Sequence, residues 1–154
     1  MITIERVEDG NSISLEHYEL PIKQMIFSGH PRHILTANRA GYDAFVIKEE
    51  GIVIGIFALD SGIILQKIGA TINDVYLRGL SINHAHQGQG KLTAVIPLIE
   101  NYVKMHMPLA EHLYLTVNVK NEAYYAFIKL GFIDQKKSVR QNFQQLKVLR
   151  KEIK

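Results

Sequence analysis

The sequence contains no cysteine, and this absence removes several kinds of chemistry. Disulfide bonds, metal sites built on thiolates and cysteine nucleophiles are all excluded. Long hydrophobic runs are absent as well: the longest, residues 52–59, is far shorter than the roughly 20 residues needed to cross a bilayer. The first residues lack a basic stretch followed by an apolar one, so no signal peptide is indicated. We therefore expect a cytoplasmic protein with no membrane partner.

The rest of the composition is that of an ordinary soluble globular protein. Apolar residues make up 47% and charged residues 21% of the 154 residues, and a chain of this length can bury a sizeable core. No repeat, low-complexity tract or linker divides the sequence. Residues 1–154 are therefore predicted to form a single domain.

Positive and negative charges are nearly balanced, with 18 Lys and Arg against 15 Asp and Glu and a formal net charge of +3. Many of the basic residues lie after residue 135. This distribution is compatible with a solvated edge strand or with a nucleic-acid surface. Only one aromatic residue, Phe143, lies among these basic ones, which gives little support to nucleic acid as a partner. A mildly basic surface also suits a polyanionic cofactor.

Hydrophobic periodicity predicts a mixed α/β (α+β) sheet with the element order β-α-β-β-β-α-β-α-β-β. Strands are predicted at residues 2–7, 44–48, 52–59, 75–83, 112–118, 132–137 and 144–153. Helices are predicted at residues 90–106 and 121–130, and a helical region interrupted near Pro21 is predicted at residues 13–28. We expect a loop at residues 29–42. Residues 60–74 are expected either to extend the preceding hairpin or to form a flap near the site.

A glycine-rich turn between a predicted strand and a predicted helix is the strongest functional signal. Residues 87–92 are Gln-Gly-Gln-Gly-Lys-Leu. Such a turn presents unpaired backbone N–H groups and the positive end of the helix dipole, which together bind phosphate. A Walker A loop is disfavoured because Leu92 replaces the Ser or Thr that would hold magnesium. A Rossmann turn would need a third glycine, and a nucleophile elbow at Ser81 would need a histidine after its acid.

The remaining pattern is Gln/Arg-x-x-Gly-x-Gly/Ala, and through it the chain resembles the GNAT superfamily of N-acetyltransferases. Gln87 and Gly90 match the first and central positions, and Ile82 matches the apolar residue five positions before the Gln/Arg. The resemblance is strongest over residues 75–134 and extends back to residue 44.

A second element of that family lies about forty residues further on. It consists of an Asn and an Ala before a helix that ends in Gly-Phe, and it is matched by Asn121, Ala123, Gly131 and Phe132. The two motifs occur in the order and separation typical of the family, with suitable elements between them. Together they are more specific than either one alone.

The resemblance implies a GNAT-like fold, in which helices flank a mostly antiparallel central sheet, and the activity of an N-acetyltransferase. Acetyl-CoA (coenzyme A) would be the co-substrate, and a primary amine on a small molecule or peptide would be the acceptor. In the family the pantetheine arm bonds along a strand that diverges from its neighbour, and an amide of this strand, here that of Ile82, stabilises the oxyanion. The implied coenzyme contacts are Leu80, Ser81, Ile82, Gln87, Gly88, Gln89, Gly90, Lys91, Leu92, Thr93, Asn118, Asn121 and Phe127.

Several positions depart from the family pattern. Leu92 replaces a small residue, and the shortened spacing in the second motif leaves both Asn118 and Asn121 as candidate coenzyme contacts. Many members have a tyrosine, the general acid, where this chain has Phe127. Tyr124, three residues earlier, is the candidate acid. Residues 75–83 offer no carboxylate, so no general base is assigned.

The histidines before the glycine turn, His84 and His86, are interpreted as solvated loop residues, and no metal site is predicted. A non-catalytic acyl-CoA-binding or regulatory module on the same fold is the alternative function, which the phenylalanine and the missing carboxylate favour. The sequence does not define the acceptor or the oligomeric state, and a homodimer is compatible with such a fold.

Overall fold

Seven strands form one mixed sheet in the computed structural model, which describes residues 1–141 and 143–153. The spatial order is β1-β2-β3-β4-β5-β7-β6, and every neighbouring pair is antiparallel except β4 with β5. The strands are β1 (Ile2–Val7), β2 (Tyr42–Glu49), β3 (Ile52–Asp60), β4 (Val75–Ile82), β5 (His112–Val117), β6 (Ile133–Gln141) and β7 (Gln144–Glu152). The predicted mixed, mostly antiparallel sheet is confirmed.

Five α-helices flank this sheet within the described residues. They are α1 (Ile22–Ser28), α2 (Pro31–Thr36), α3 (Ile64–Lys67), α4 (Lys91–His106) and α5 (Ala123–Lys129). The helix α4 continues through Pro97, which lies on its exposed side. No helix in the described part of the chain is long and apolar enough to cross a membrane.

The largest core lies between the sheet and the helices α4 and α5. The buried face of α4 consists of Val95, Ile96, Ile99 and Val103, at the helical spacing expected from the sequence. Each such side chain contributes about 1.5–3 kcal/mol when fully buried. The opposite face of the sheet is covered by α2 over β2 and β3, and by α3 over β4, β5 and β7. The sheet is therefore covered by helices on both faces.

The prediction of a helical region over residues 13–28, interrupted near Pro21, was wrong for the part before Pro21. The helix α1 begins only at Ile22, directly after Pro21. The preceding chain bonds to the end of β4 instead: Asn83 Nδ2 donates to the carbonyl of His17, and its Oδ1 accepts from the Glu19 amide. Because these backbone groups bond to a distant residue, they are not available for a helical ladder.

The predicted loop at residues 29–42 contains a helix, and residues 60–74 form neither a longer hairpin nor an open flap. Pro31 occupies the first helical position of α2, and His30 Nδ1 accepts from the Arg32 amide and so caps the helix. In residues 60–74 the short helix α3 buries Ile64 and Leu65 against the sheet. The strand predicted at residues 132–137 corresponds to β6 and extends further, to Gln141. The strand predicted at residues 144–153 is confirmed as β7, which pairs with it.

The parallel pair β4–β5 is short. In the described residues the two strands pair only where Val75 faces Leu113 and Tyr76 faces Tyr114. Further along, β4 contains a bulge at which its register with β3 shifts, and Gly79 there has a φ of +64°. A bulge bends and twists its strand. Beyond the bulge β4 and β5 diverge, as the family resemblance implied.

Candidate active site

A cleft of about 910 Å³ lies where β4 and β5 diverge. Its walls are the second halves of these two strands, the glycine-rich turn with the start of α4, and parts of α1 and α5. This volume is in the range of cofactor and small-molecule sites. The site exists because two neighbouring strands stop pairing, so the sheet itself leaves backbone groups exposed.

The charged side chains that line the cleft are mostly positive. The positive ones are Lys23, Arg78, Lys91, Lys120 and Lys129, and the negative one is Glu122. The whole chain has a formal net charge of only +3, so this bias is a property of the cleft. A concave site lined by one sign of charge attracts ligands of the opposite sign. The cleft therefore suits a polyanionic ligand.

The glycine turn gives this cleft a set of free backbone donors. Gly88 and Gly90 have φ values of +73° and +71°, which favour glycine, and Gly90 is the N-cap of α4. The amides of residues 88–92 donate to no protein atom in the described residues. The amide of Thr93, which the sequence grouped with them, already donates to the Gly90 carbonyl at 3.2 Å. Five amides and the positive end of a 16-residue helix therefore remain for an anion.

The side chain of Gln87 holds the turn in place. Its Nε2 donates to the Ile82 carbonyl at 2.8 Å, and its amide also exchanges two hydrogen bonds with the side-chain amide of Gln24 on α1, at 2.7 and 3.1 Å. The first motif residue therefore acts within the protein, by fixing the turn to β4 and to α1. A coenzyme contact from Gln87 itself is not required by this arrangement.

The exposed edge of β4 presents the amide of Ile82 to the cleft. The next amide, that of Asn83, donates to the Ile54 carbonyl of β3 at 2.7 Å. Backbone groups of successive residues in a strand point to opposite sides, so the N–H of Ile82 points away from β3 and into the gap. In the other direction, Tyr18 donates to the carbonyl of Ser81, and its hydroxyl lies 2.7 Å from Ser81 Oγ. Burial raises the pKa of Tyr18, so its hydroxyl is neutral near pH 7.

Solved acetyltransferase structures have a similar fold. The ribosomal-protein-S18-alanine N-acetyltransferase from Escherichia coli matches with a TM-score of 0.68 at 16% identity, over 99% of this chain and 94% of the other. A GNAT family acetyltransferase from Elizabethkingia anophelis, with acetyl-CoA bound, matches with a TM-score of 0.62 at 13% identity, over 98% and 97% of the two chains. The spermidine/spermine N-acetyltransferase from Vibrio cholerae matches with a TM-score of 0.62 at 16% identity, over 98% of this chain and 92% of the other.

The chain has the GNAT acetyltransferase fold. The resemblance drawn from two short motifs is thus confirmed at the level of the fold. No protein-family model and no curated protein matches the sequence. The GNAT fold was therefore visible in the sequence only through those motifs and the order of the elements.

Most of the predicted coenzyme contacts of this GNAT fold lie together in the cleft. Its lining includes Leu80, Ser81, Ile82, Gln87, Gly88, Gly90, Lys91, Leu92, Thr93, Asn118, Asn121 and Phe127. Gln89 is the exception: it is exposed outside the lining and donates weakly to the Ala85 carbonyl at 3.4 Å. Leu92, which replaces the family's small residue, packs against the main core.

Three more of these residues have side-chain partners within the protein. Lys91 Nζ bonds to both carboxylate oxygens of Glu49, at 2.8 and 2.9 Å, and this bond lowers the pKa of Glu49. Asn118 Nδ2 donates to Gln144 Oε1, and Asn121 Oδ1 accepts from the Ala123 amide before α5. Both asparagines therefore help to shape the cleft wall. The charge of Lys91 is partly neutralised before any ligand binds.

The candidate acid Tyr124 lies outside the cleft lining. Its hydroxyl donates to Asp134 Oδ2 on β6 at 2.8 Å, and this bond raises the pKa of Tyr124. Helical spacing placed Tyr124 near the face of Phe127, but its ring points toward β6. Phe127 itself is buried and packs edge-to-face on Phe132 at 5.6 Å between ring centroids. The geometry thus provides no role for Tyr124 at a thioester in this cleft.

Sequence reasoning did not single out the α1 side chains Lys23 and Gln24, which line the cleft. They come from α1, the part of the predicted helical region that follows Pro21, and nothing local indicated that this helix packs beside the glycine turn. Sequence reasoning did not single out Arg78 either. This residue lies on β4 just before the bulge and lines the cleft.

Proposed function

We propose that this protein is an acetyl-CoA-dependent N-acetyltransferase that moves an acetyl group to a primary amine by direct transfer in a ternary complex. The observation that supports this most strongly is the row of unpaired amides at residues 88–92, placed at the open end of the diverged strands β4 and β5. The GNAT fold of the chain, shared with an acetyltransferase structure that has acetyl-CoA bound, supports the same conclusion.

In this proposal the diphosphate of the co-substrate binds the amides that open α4, and the pantetheine arm lies along the free edge of β4. The amide of Ile82 points into the gap and would bind the thioester oxygen as negative charge develops on it. One well-placed donor of this kind contributes about 2.7–4 kcal/mol to transition-state stabilisation. The positive lining of the cleft would balance the charge of the phosphates.

The acceptor amine would attack the thioester directly, and the thiol of the co-substrate would leave. A thiol has a pKa of about 8.5, so the thiolate is a tolerable leaving group without a tyrosine acid. The amine must first lose a proton, and Glu122 is the one carboxylate in the lining formed by the described residues. With no assigned base, kcat/KM is expected to rise with pH up to the pKa of the acceptor amine.

The test is an assay of acetyl-CoA turnover with a panel of primary amines. Turnover is measured as released thiol, and the acetylated product is identified by mass spectrometry. Calorimetry with acetyl-CoA is run in parallel. Binding together with amine-dependent thiol release would support the transferase. No heat of binding and no turnover would remove both the coenzyme site and the activity.

The second candidate function is a non-catalytic acyl-CoA-binding or regulatory module. Two observations favour it: Phe127 stands where an acid would be expected, and the hydroxyl of Tyr124 is bonded to Asp134 outside the cleft. In the assay above, this module would bind acetyl-CoA but release no thiol with any amine. We further propose that residues 1–154 act as one domain, which the 99% coverage of this chain by the Escherichia coli structure supports.

A further inference from the structure

Two arginines share one buried carboxylate beside the cleft. Asp60, at the end of β3, has a side chain that is only 2% exposed. Its Oδ2 accepts from Arg39 Nη2 at 2.9 Å and from Arg78 Nε at 3.1 Å, and Arg78 Nη2 lies within ion-pair distance of the same oxygen, at 3.1 Å. Its Oδ1 accepts from the Gly62 amide at 2.8 Å. Both oxygens of the carboxylate are therefore occupied.

This cluster has one more positive than negative charge. In the described part of the chain, neither Arg39 nor Arg78 forms an ion pair with a carboxylate other than Asp60. The neighbouring rings, Tyr42 under Arg39 and Tyr76 under Arg78, are neutral because burial raises the pKa of each. One guanidinium charge is thus left without an internal counter-ion.

The uncompensated charge is available to the cleft through Arg78. This side chain lines the cleft and is 27% exposed, whereas Asp60 and Arg39 are not part of the lining. Nε donates to Asp60 and Nη2 lies 3.1 Å from the same carboxylate oxygen, which leaves the other edge of the guanidinium, Nη1 with Nη2, without a hydrogen-bond acceptor among the described residues. That edge has the two parallel donors that match a carboxylate.

Arg78 lies on the far side of Ile82 from the glycine turn. It precedes Ile82 by four residues, which is at most about 13 Å along an extended strand, and the long arginine side chain can shorten this distance. The phosphate-binding amides lie in the opposite direction along the chain. In the proposed function, an anion at Arg78 therefore belongs to the acceptor and not to the co-substrate.

We propose, on the basis of the proposed transferase function, that the acceptor amine also bears a carboxylate, which Arg78 binds. Asp60 and Tyr76 hold the guanidinium in place, so that little conformational entropy is lost on binding. An acceptor with several positive charges is repelled by the same group. A polyamine, the substrate class named for the Vibrio cholerae structure, is therefore a poor acceptor for this chain.

The experiment compares matched pairs of acceptors that differ in the carboxylate alone: γ-aminobutyrate with butylamine, and ε-aminocaproate with hexylamine, with spermidine added. For the unmodified protein we expect kcat/KM to be about 10- to 100-fold higher for the better amino acid than for its matched amine. Arg78→Gln should remove this preference and Arg78→Lys should restore part of it. Arg140→Gln, which changes an exposed arginine outside the cleft, should keep the preference.

The outcomes separate this inference from the proposed function. Acetylation of alkylamines or spermidine as fast as of the amino acids would overturn the inference and leave the transferase intact. A preference for amino acids that survives Arg78→Gln would also overturn it. If acetyl-CoA bound but no amine were acetylated, the transferase itself would fail. The comparison of acceptors on the unmodified protein needs no variant to fold, and calorimetry with acetyl-CoA checks each variant.

Discussion

At one end of the β4–β5 pair the strands are hydrogen-bonded to each other, and at the other end they lie apart on the two sides of the cleft. The closed end is held together by Asp74, which precedes β4 and is almost fully buried. Its carboxylate accepts from the amide and hydroxyl of Thr71 and from the amides of Glu111 and His112 at the start of β5. One side chain thus joins the beginnings of both strands.

The open end has the opposite construction. The pairing of β4 with β5 ends at Tyr76, β4 is bulged at Gly79, and the amides of Ile82 and of residues 88–92 have no protein partner in the described residues. Residues 88–90 are exposed and residues 91 and 92 are half-buried, and the first N–H groups of a helix have no intrahelical partner, so these donors are available to a ligand. The closed end contributes stability, and the open end contributes binding groups. Substitutions at the two ends should therefore affect different measurements.

The largest expected effect is on co-substrate binding at the open end. Gly90→Val places a β-branched residue at a φ of +71°, where it costs about 1–2 kcal/mol, so the turn is expected to rearrange and withdraw its amides. We expect the Kd for acetyl-CoA, measured by calorimetry, to rise roughly 10- to 100-fold.

The matched control is Gly51→Val in the β2–β3 turn. Gly51 has a φ of +80°, and an added Cβ would meet no atom within 4 Å at either glycine. Both variants should lose similar stability, but only Gly90→Val should lose affinity. Equal affinities in the two variants would contradict the role given to the turn.

The next effect is on stability at the closed end. Asp74→Asn places the N–H₂ group of an amide against backbone N–H groups that now donate to the carboxylate. We expect the free energy of unfolding near neutral pH to fall by about 1–3 kcal/mol. Asp43→Asn, which alters a partly exposed partner of Arg6, is the control. It should change the free energy of unfolding by less than about 1 kcal/mol. Urea denaturation measures both.

The effect of Asp74 should also depend on pH. Burial alone would raise its pKa, but the hydrogen bonds from Thr71 and from the His112 amide together lower it. Its folded pKa therefore lies below the unfolded value of about 3.9, and the stabilisation present above that pH is lost as the pH falls through the folded pKa. The difference between the native protein and Asp74→Asn should shrink in acid. A difference that stayed constant would argue against the ionised carboxylate as its source.

A smaller effect is expected from the ion pair at the entrance to the open end. Glu49→Gln removes the carboxylate that partly neutralises Lys91 beside the free amides. Affinity for acetyl-CoA should rise about two- to fivefold and become more sensitive to salt. Glu5→Gln, which breaks the ion pair of Glu5 with Lys48 elsewhere on the sheet, should not change the affinity for acetyl-CoA. Weaker binding by Glu49→Gln would mean that Glu49 positions Lys91 for the ligand.

The smallest effect is expected from Tyr124→Phe. The hydroxyl of Tyr124 is bonded to Asp134 outside the cleft, so its removal should change kcat/KM by less than about twofold. Steady-state rates across pH provide the measurement. A large loss of kcat with the loss of one limb of the pH profile would return Tyr124 to the role of general acid.

Much of this architecture was predictable because it depends on local patterns. The helix α4 was found from the spacing of its apolar residues, and the turn before it from two glycines next to a strand. The parts that were missed depend on distant partners. Residues 13–21 are not helical because their backbone bonds to Asn83, and α2 is helical although its sequence resembles a loop, because Ile34 and Leu35 are buried against the sheet.

The sequence by itself determined the order of the strands, the places of α4 and α5 and the donors of the glycine turn, because amphipathic spacing and backbone conformation are set by neighbouring residues. The tertiary structure alone decided that β4 diverges from β5, that Tyr124 bonds to Asp134, and that Arg39 and Arg78 share Asp60. These contacts join residues that are far apart in the chain, and no periodicity encodes the direction in which a side chain meets a distant partner.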